Sequence, residues 1–248
     1  HELQSTRSAP GVDRVDITGN QLGDSVGSLI DVFQKHARIR TMLGIEEGTV
    51  HLDLSNRKLD PAYVRLLAVE LESSRATAGV VEVDISGNLI CGAKSKENDG
   101  QAPWINIDSD LSGLEQFCKM LPSSSIKSLK LASTQIGPKS IAIVASTLAT
   151  AGVVRMDVTG NPMGDSVELL IDIFLKTERI RTMCGIEEGT VSLDLSKRNM
   201  DPSNVRLLAV ELNSGRATAE VARVDLSGNG ISGASWDYMC GRWDDSDS

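Results

Sequence analysis

Apolar and polar residues alternate in seven short stretches of the chain, which are spread over its whole length. In the fifth stretch, for example, the apolar residues Met156 and Val158 are flanked on both sides by polar residues. A period of two sends one set of side chains to the core and the other to solvent, so each stretch predicts a short strand. The seven strands begin at these apolar residues: Val15, Leu52, Val83, Leu129, Met156, Leu193 and Val224.

The segments between the predicted strands carry the period of a helix. Residues 26–33 have apolar side chains at positions i, i+3, i+4 and i+7, which form one apolar stripe. Two later segments carry helix start signals, because Asp60-Pro61 and Asp201-Pro202 each supply an N-cap followed by proline at the first helical position. Strands therefore alternate with helices, which predicts an α/β fold with a parallel sheet.

The chain also contains an internal duplication. Residues 11–90 match residues 152–231 at a constant offset of 141 positions, so that residues 44–50 and 185–191 have the same sequence. Tandem units of roughly 20–50 residues are the signature of a solenoid. A single strand-plus-helix unit cannot bury its apolar face alone, so the units must stack on one another.

The pattern L-x-L-x-x-N-x-L followed by an amphipathic helix resembles the leucine-rich repeat, in the long form found in ribonuclease inhibitor and in NOD-like receptor sensor domains. The resemblance covers essentially the whole chain. It implies a horseshoe-shaped α/β solenoid of about seven repeats, with the parallel sheet on the concave face and the helices on the convex face. Residues 1–248 would then form a single domain. Arg57, Thr134 and Arg198 replace the Asn of the motif in three units, where we expect a looser turn.

Neither end of the sequence has the pattern of a capping repeat. At the same offset of 141, Ser5-Thr6 matches Ser146-Thr147, in the last turn of a predicted helix, and residues 245–247 resemble residues 108–110 of an inserted loop. Open solenoids need polar caps at their ends for solubility. We therefore expect that the chain belongs to a longer array of repeats, or that a partner covers its ends.

Composition narrows the class of partner. The 34 acidic and 25 basic residues give a net charge of −9, which argues against a nucleic acid, since that partner requires clustered Lys and Arg. Aromatic residues make up only 3% of the chain, which suits thin layers filled by aliphatic side chains. No apolar run approaches the length of a membrane span, so direct membrane insertion is not predicted.

The four cysteines are far apart in the sequence and contain no C-x-x-C pair. This spacing favours buried free thiols and hence a reducing, intracellular compartment over a disulfide framework. Because the chain begins at His1 and not at a Met, the sequence is also consistent with a targeting peptide that has been removed.

Outward side chains of the predicted strands form columns, because equivalent residues of adjacent strands lie about 4.8 Å apart. The middle column has one basic residue, Lys130, among six acidic ones: Asp16, Asp53, Asp84, Asp157, Asp194 and Asp225. The column beside it contains three arginines: Arg14, Arg155 and Arg223. These residues are a candidate surface for a basic partner or a cation. The alternative is structural, with each Asp held by nearby hydroxyl groups and arginines that offset the repulsion of like charges in register.

Four of the five Trp and Tyr residues lie in inserted or terminal segments: Trp104, Trp236, Tyr238 and Trp243. Aromatic side chains in loops are typical anchors for a protein partner, and they can equally cover an apolar edge of their own chain. The repeated acidic loops at Glu46-Glu47 and Glu187-Glu188 are either a second contact stripe or solvated turns.

Catalytic and metal-binding patterns are weak. The series Asn106-x-Asp108-x-Asp110 places oxygen atoms at alternate positions, but it lacks the Gly and the Glu that complete a calcium loop. No Gly-rich phosphate loop, H-E-x-x-H or G-x-S-x-G motif occurs. We therefore predict no cofactor, no metal and no enzymatic activity. The leading prediction is a protein-interaction module that acts as a scaffold or as a subunit of a large complex. The alternatives are an enzyme inhibitor with an acidic concave face and a purely structural spacer.

Overall fold

Helices and strands alternate in the protein, whose structure is a computed structural model. It describes residues 11–20, 22–96 and 104–232, together with the backbone of residues 235–237 and 242–244. The helices of this part of the chain are α1 (Val26–Lys35), α2 (Pro61–Ser73), α3 (Ser112–Met120), α4 (Pro138–Leu148), α5 (Val167–Lys176) and α6 (Pro202–Ser214). The strands are β1 (His51–Asp53), β2 (Glu82–Asp84), β3 (Lys94–Ser95), β4 (Trp104–Ile105), β5 (Ser128–Lys130), β6 (Arg155–Asp157), β7 (Ser192–Asp194), β8 (Arg223–Asp225), β9 (Ser235–Asp237) and β10 (Arg242–Asp244).

The longer sheet is parallel and its strands follow the order β1-β2-β5-β6. Its central residues are in register, since Leu52 is opposite Val83, Val83 opposite Leu129, and Leu129 opposite Met156. A second parallel pair is formed by β7 and β8, and two antiparallel pairs are formed by β3 with β4 and by β9 with β10. The α/β class and the parallel sheet expected from the sequence are therefore confirmed.

The six helices pack on one another in chain order, from α1 against α2 to α5 against α6. The predicted N-caps of α2 and α6 are confirmed: Asp60 accepts a hydrogen bond from the Tyr63 amide at 3.0 Å, and Asp201 accepts one from Asn204 at 2.9 Å. One cluster of buried apolar side chains runs between the sheet and the helices, and it includes the fully buried rings of three phenylalanines: Phe33, Phe117 and Phe174.

The parallel sheet is interrupted at corresponding places in the two copies. Residues 182–185 form an irregular segment that lies beside β6. The carbonyl oxygen of Thr182 in this segment accepts a hydrogen bond from the Met156 amide at 2.9 Å. Beside residues 14–17, the Thr41 carbonyl accepts the Val15 amide at the same distance. In each copy, therefore, an irregular loop occupies the position where another strand of the sheet would be expected.

Two buried carboxylates hold these irregular segments in place. Glu70 of α2 accepts hydrogen bonds from the Thr41 hydroxyl at 2.8 Å and from the Met42 and Leu43 amides at 2.6 and 3.0 Å. Glu211 of α6 accepts the corresponding bonds from residues 182–184. Burial raises the pKa of each carboxyl from 4.5 to about 7, although the donors favour the charged form. Each segment is thus bonded to a helix as well as to a strand.

Asparagine side chains connect consecutive turns. The Asn161 amide group donates to the carbonyl oxygens of Leu131 and Val158, while its oxygen accepts the amides of Thr134 and Ile136. Asn88 and Asn229 make equivalent bonds to the turns that contain Arg57 and Arg198. The turns that lack the motif Asn are therefore hydrogen-bonded by the Asn of the following unit, instead of being loosened.

Candidate functional site

The outward face of the parallel sheet brings most of the predicted charged residues together. In the middle column, Asp53 is opposite Asp84, Asp84 is opposite Lys130, and Lys130 is opposite Asp157. On the second sheet, Asp194 is opposite Asp225. We call these two rows, with the flanking residues of the same strands, the outward sheet face.

Each Asp of the middle column accepts a hydrogen bond from the backbone amide two positions later, at 2.9–3.0 Å. The donors are Thr18, Ser55, Ser86, Thr159, Ser196 and Ser227. Hydrogen bonds from these residues lower the pKa of four of the carboxyls: Asp16, Asp53, Asp194 and Asp225. These four carboxyls therefore carry negative charge at neutral pH, and local bonds offset part of the repulsion between neighbouring members of the column.

The acidic column is not continuous, because the irregular segments divide it. Asp157 lies against Gly185, where a Cβ atom would be only 2.6 Å from a carboxylate oxygen of Asp157 and where φ is +68°. Asp157 is consequently buried, with 8% of its surface exposed. Asp16 is placed in the same way beside Gly44. The single ladder of six carboxylates predicted from the sequence is thus replaced by three separate groups.

The arginines of the neighbouring column do not pair with these aspartates in the described residues. Arg14 and Arg155 instead lie 3.8 Å from Glu46 and Glu187 of the repeated acidic loops. The loops are fastened further by salt bridges from Arg40 to Glu47 at 2.7 Å and from Arg181 to Glu188 at 2.8 Å. Arg223 makes no salt bridge among the described residues, but its charge helps to lower the pKa of Asp225. The acidic loops therefore lie at the margin of the outward sheet face.

Sequence reasoning missed the arginines that do lie near the aspartates. Arg57 lowers the pKa of Asp16 and Asp53 through its charge, and Arg198 lies 4.0 Å from Asp157. Both arginines stand where the repeat motif has Asn, and the offset of 141 relates them to each other. That recurrence is the signal in the sequence from which their role could have been inferred.

A cavity of about 290 Å³ opens on the outward sheet face beside Lys130. It is lined by Glu82, Ser128, Lys130, Arg155, Met156, Gly185, Glu187 and Glu188. The Lys130 ammonium donates to Glu82 at 2.7 Å, and this bond raises the pKa of Lys130 and lowers that of Glu82. His51 lies on the other side of Glu82, at 3.5 Å. The cavity therefore offers charges of both signs to a ligand.

The predicted aromatic anchors lie on the two short antiparallel pairs. Trp104 is in β4, opposite Ser95 of β3, and its side chain is half-buried. Trp236 of β9 is opposite Trp243 of β10. Tyr238 lies outside the described residues. Trp104, Trp236 and Trp243 therefore do not belong to the strands of the outward sheet face.

The carboxylates of the weak calcium motif serve as helix caps. Asp108 accepts hydrogen bonds from the amides of Gly137 and Lys139 at the start of α4, at 3.0 and 2.8 Å. Asp110 accepts from the Ser112 amide at the start of α3, at 3.0 Å. The inserted loop is thereby anchored to two helices. Over the described ranges, no cluster of three His, Cys, Asp or Glu side chains could hold a metal ion.

Asp108 also accepts the Ser140 hydroxyl, which lies 3.2 Å from the Cys91 thiol. This trio resembles a nucleophile with its partners, but all three side chains are buried and burial raises the pKa of Cys91 to about 12. A thiol with such a pKa is protonated and unreactive at neutral pH. Cys118 and Cys184 are likewise free and buried, and Cys240 lies outside the described residues.

None of the helices that the structure describes is both long enough and apolar enough to cross a bilayer. A scan of the sequence against protein-family models finds no match, and a search of curated proteins finds none either.

Proposed function

We propose that this chain is a leucine-rich-repeat solenoid of about seven strand-plus-helix units. Two observations support this finer description of the α/β fold. The strands of the longer sheet and the helices each follow chain order in their packing. Corresponding side chains of the two copies also make corresponding bonds, as Glu70 does with Thr41 and Glu211 with Thr182. A stack of this kind presents one sheet face along its length.

For its function, we propose a non-enzymatic protein-interaction module, which acts as a scaffold or as a subunit of a larger complex. Its partner would be a protein held on the outward sheet face, with the inserted loops as a second contact. The observation that carries this proposal is the row of charged side chains in register, Asp53 and Asp84 beside Lys130, next to the cavity of about 290 Å³. Exposed polar side chains on a rigid sheet are suited to recognition.

The charge pattern defines what a complementary partner must present. Asp53 and Asp84 would attract basic side chains of the partner. Lys130, which is next to Asp84 in the row, would attract an acidic side chain. Charges at the rim of an interface mainly raise the association rate and select the partner. The partner is therefore expected to carry mixed charges, with an excess of Lys and Arg.

A second candidate function is inhibition of an enzyme, by insertion of an acidic surface into a basic cleft. Asp194 and Asp225 favour it, because they are adjacent in register and hydrogen bonds from Ser196 and Ser227 lower the pKa of both. A structural spacer, the third possibility raised by the sequence, would use neither surface.

The experiment begins with the tagged full-length chain, from which co-purifying proteins are identified by mass spectrometry. The affinity of a purified partner is then measured for Asp53→Asn and Asp84→Asn, which remove charge but keep the oxygen that accepts the local amide bond. We expect the combined variant to bind about tenfold more weakly, and Glu72→Gln on the exposed side of α2 to bind normally.

Unchanged affinity in the combined variant would contradict the proposed use of the outward sheet face. Loss of binding in Trp104→Ala alone would then assign recognition to the inserted loop. A partner that is an enzyme, is blocked by this chain and is released steeply by salt would support the inhibitor.

A further inference from the structure

The two copies contain the same helix in different surroundings. In the first copy, α2 presents a stripe of buried side chains to α3: Pro61, Val64, Ala68 and Leu71. The two helices approach closely where Gly113 of α3 crosses this stripe. A Cβ atom on Gly113 would collide with the Pro61 carbonyl oxygen and would lie 3.0 Å from Cβ of Val64. This interface therefore requires a glycine in the covering helix.

In the second copy, no helix among the described residues covers the corresponding stripe of α6. Pro202, Ala209 and Leu212 are exposed, and Val205 is half-buried. Leu212 has 37% of its surface exposed, whereas its counterpart Leu71 has 7%. The difference arises from the surroundings and not from the side chains, since both positions carry Leu.

The sheet shows the same contrast. In the first copy, β2 is paired with β5, and the side chains of Val83, Ile85 and Ile90 are fully buried. In the second copy, the strand equivalent to β2 is β8, which pairs only with β7 within the described residues. Its apolar residues are less covered, and Ile231, the counterpart of Ile90, is 45% exposed. The second copy thus has an open strand edge next to its open helix stripe.

We propose that this open surface is a docking site for a protein partner that presents an amphipathic helix followed by a parallel strand. We call it the α6–β8 face, defined by Val205, Ala209, Leu212, Val224, Leu226 and Ile231. In the first copy, the equivalent surface is covered by α3 and β5, which supply Leu114, Phe117 and Leu129 to the core. The partner segment is expected to have the same chemistry, with a glycine where its helix crosses Pro202 and large apolar residues on the same side.

A second copy of this chain is not the expected occupant. The segment that covers the equivalent surface of the first copy is α3 with β5. That segment is already used, because α3 packs between α2 and α4 and β5 lies between β2 and β6. Its use by another molecule would require opening the first copy. The α6–β8 face is also distinct from the outward sheet face, so this inference does not depend on the proposed function.

The test uses a fluorescent peptide with the sequence of residues 110–132 as the probe and the full-length chain as the receptor, under reducing conditions. We expect saturable binding by fluorescence polarisation. Binding should weaken about tenfold or more in the receptor variants Ala209→Asp and Leu212→Asp, which place a charge in the contact. The matched control is Leu175→Asp on α5, which is also exposed but lies outside the α6–β8 face and should leave binding unchanged.

Changes in the peptide provide the second arm. Gly113→Leu in the peptide should abolish binding, although it raises helix propensity, because the added side chain collides at the crossing point. Glu115→Gln, on the exposed side of the helix, should bind like the parent peptide. The proposal is overturned if no saturable binding occurs up to about 1 mM peptide, or if Gly113→Leu binds as well as the parent. Concentration-dependent dimerisation of the receptor that Ala209→Asp abolishes would also overturn it, by showing that a second copy occupies the face.

Discussion

Replacing the buried carboxylates Glu70 and Glu211 by Gln is expected to remove most of the pH dependence of this protein's stability between about pH 5 and pH 8. Both side chains are 1% exposed, and burial raises the pKa of each in the folded protein from 4.5 to about 7. The folded state therefore binds these protons more tightly than the unfolded chain does. Their contribution to stability is fully present below about pH 4.5 and is lost as the pH rises to about 7.

The size of the effect follows from the two pKa values. A change from 4.5 to about 7 corresponds to about 3 kcal/mol for each carboxyl, at about 1.4 kcal/mol per pKa unit. Together, the two groups should lower the free energy of unfolding by several kcal/mol between acidic and neutral pH. Cys184, which faces Glu211, does not titrate in this range because burial raises its pKa well above 9. Carboxyls on the sheet have lowered pKa values and act at more acidic pH.

The assay is urea denaturation followed by far-ultraviolet circular dichroism at about pH 5 and pH 8. Glu211→Gln should reduce the stability difference between the two pH values by about 2–3 kcal/mol, since at pH 5 a part of the full effect is already lost, and the double variant by about twice as much. Glu72→Gln, an exposed neighbour on α2, should retain the full difference. An undiminished pH dependence in the double variant would show that these carboxyls are not the groups responsible.

Two further substitutions test the contacts that join neighbouring units. Arg216→Lys should lower the free energy of unfolding by about 1–3 kcal/mol. The Arg216 guanidinium donates hydrogen bonds to the carbonyl groups of Phe174, Thr177 and Ile180 and lies 4.4 Å above the Phe174 ring. Unchanged stability of this variant in urea denaturation would refute the prediction. Asn161→Ala should cost about 3–5 kcal/mol, because it leaves buried carbonyl and amide groups of two turns without partners. A loss below about 1 kcal/mol in the same assay would mean that water replaces those bonds.

The helices and six of the seven strands could be predicted because their periods are clear in the sequence, whereas the first predicted strand, at Val15, forms only isolated β-bridges. The alternation around Met156 and the N-cap signals at Asp60 and Asp201 each depend on a few adjacent residues, and the structure has the expected elements at all three places. The internal duplication also indicated the order in which the strand-plus-helix units follow one another. Local patterns of this kind are well determined by sequence because they reflect backbone geometry and burial.

The interruption of the sheet could not be predicted in the same way. Residues 41–44 and 182–185 have no strand period, and their position depends on hydrogen bonds to a carboxylate about thirty residues away. A partial signal was present, since Glu70 and Glu211 lie at helical spacing from buried leucines, where a charged residue is unusual. The partners of Arg14 and Arg155, Glu46 and Glu187, were missed for a similar reason, because they lie in the acidic loops that follow those irregular segments.

The buried carboxylate of Glu211 also helps to connect the two parts of the parallel sheet. Between β6 and β7, the described residues show no strand pairing. One link between the two parts passes through residues 182–185 and their bonds to Glu211, and another through Asn204 of α6, which bonds to Gly160 and Asn161. The Thr182 hydroxyl and the amide groups of the two following residues donate the hydrogen bonds that stabilise the buried Glu211 carboxylate. Undocking the segment would leave the Glu211 carboxyl without these donors in an apolar core, which is unfavourable whether or not the group takes up a proton. We therefore expect residues 182–185 and helix α6 to open together and not separately, which couples β6 to the α6–β8 half of the chain.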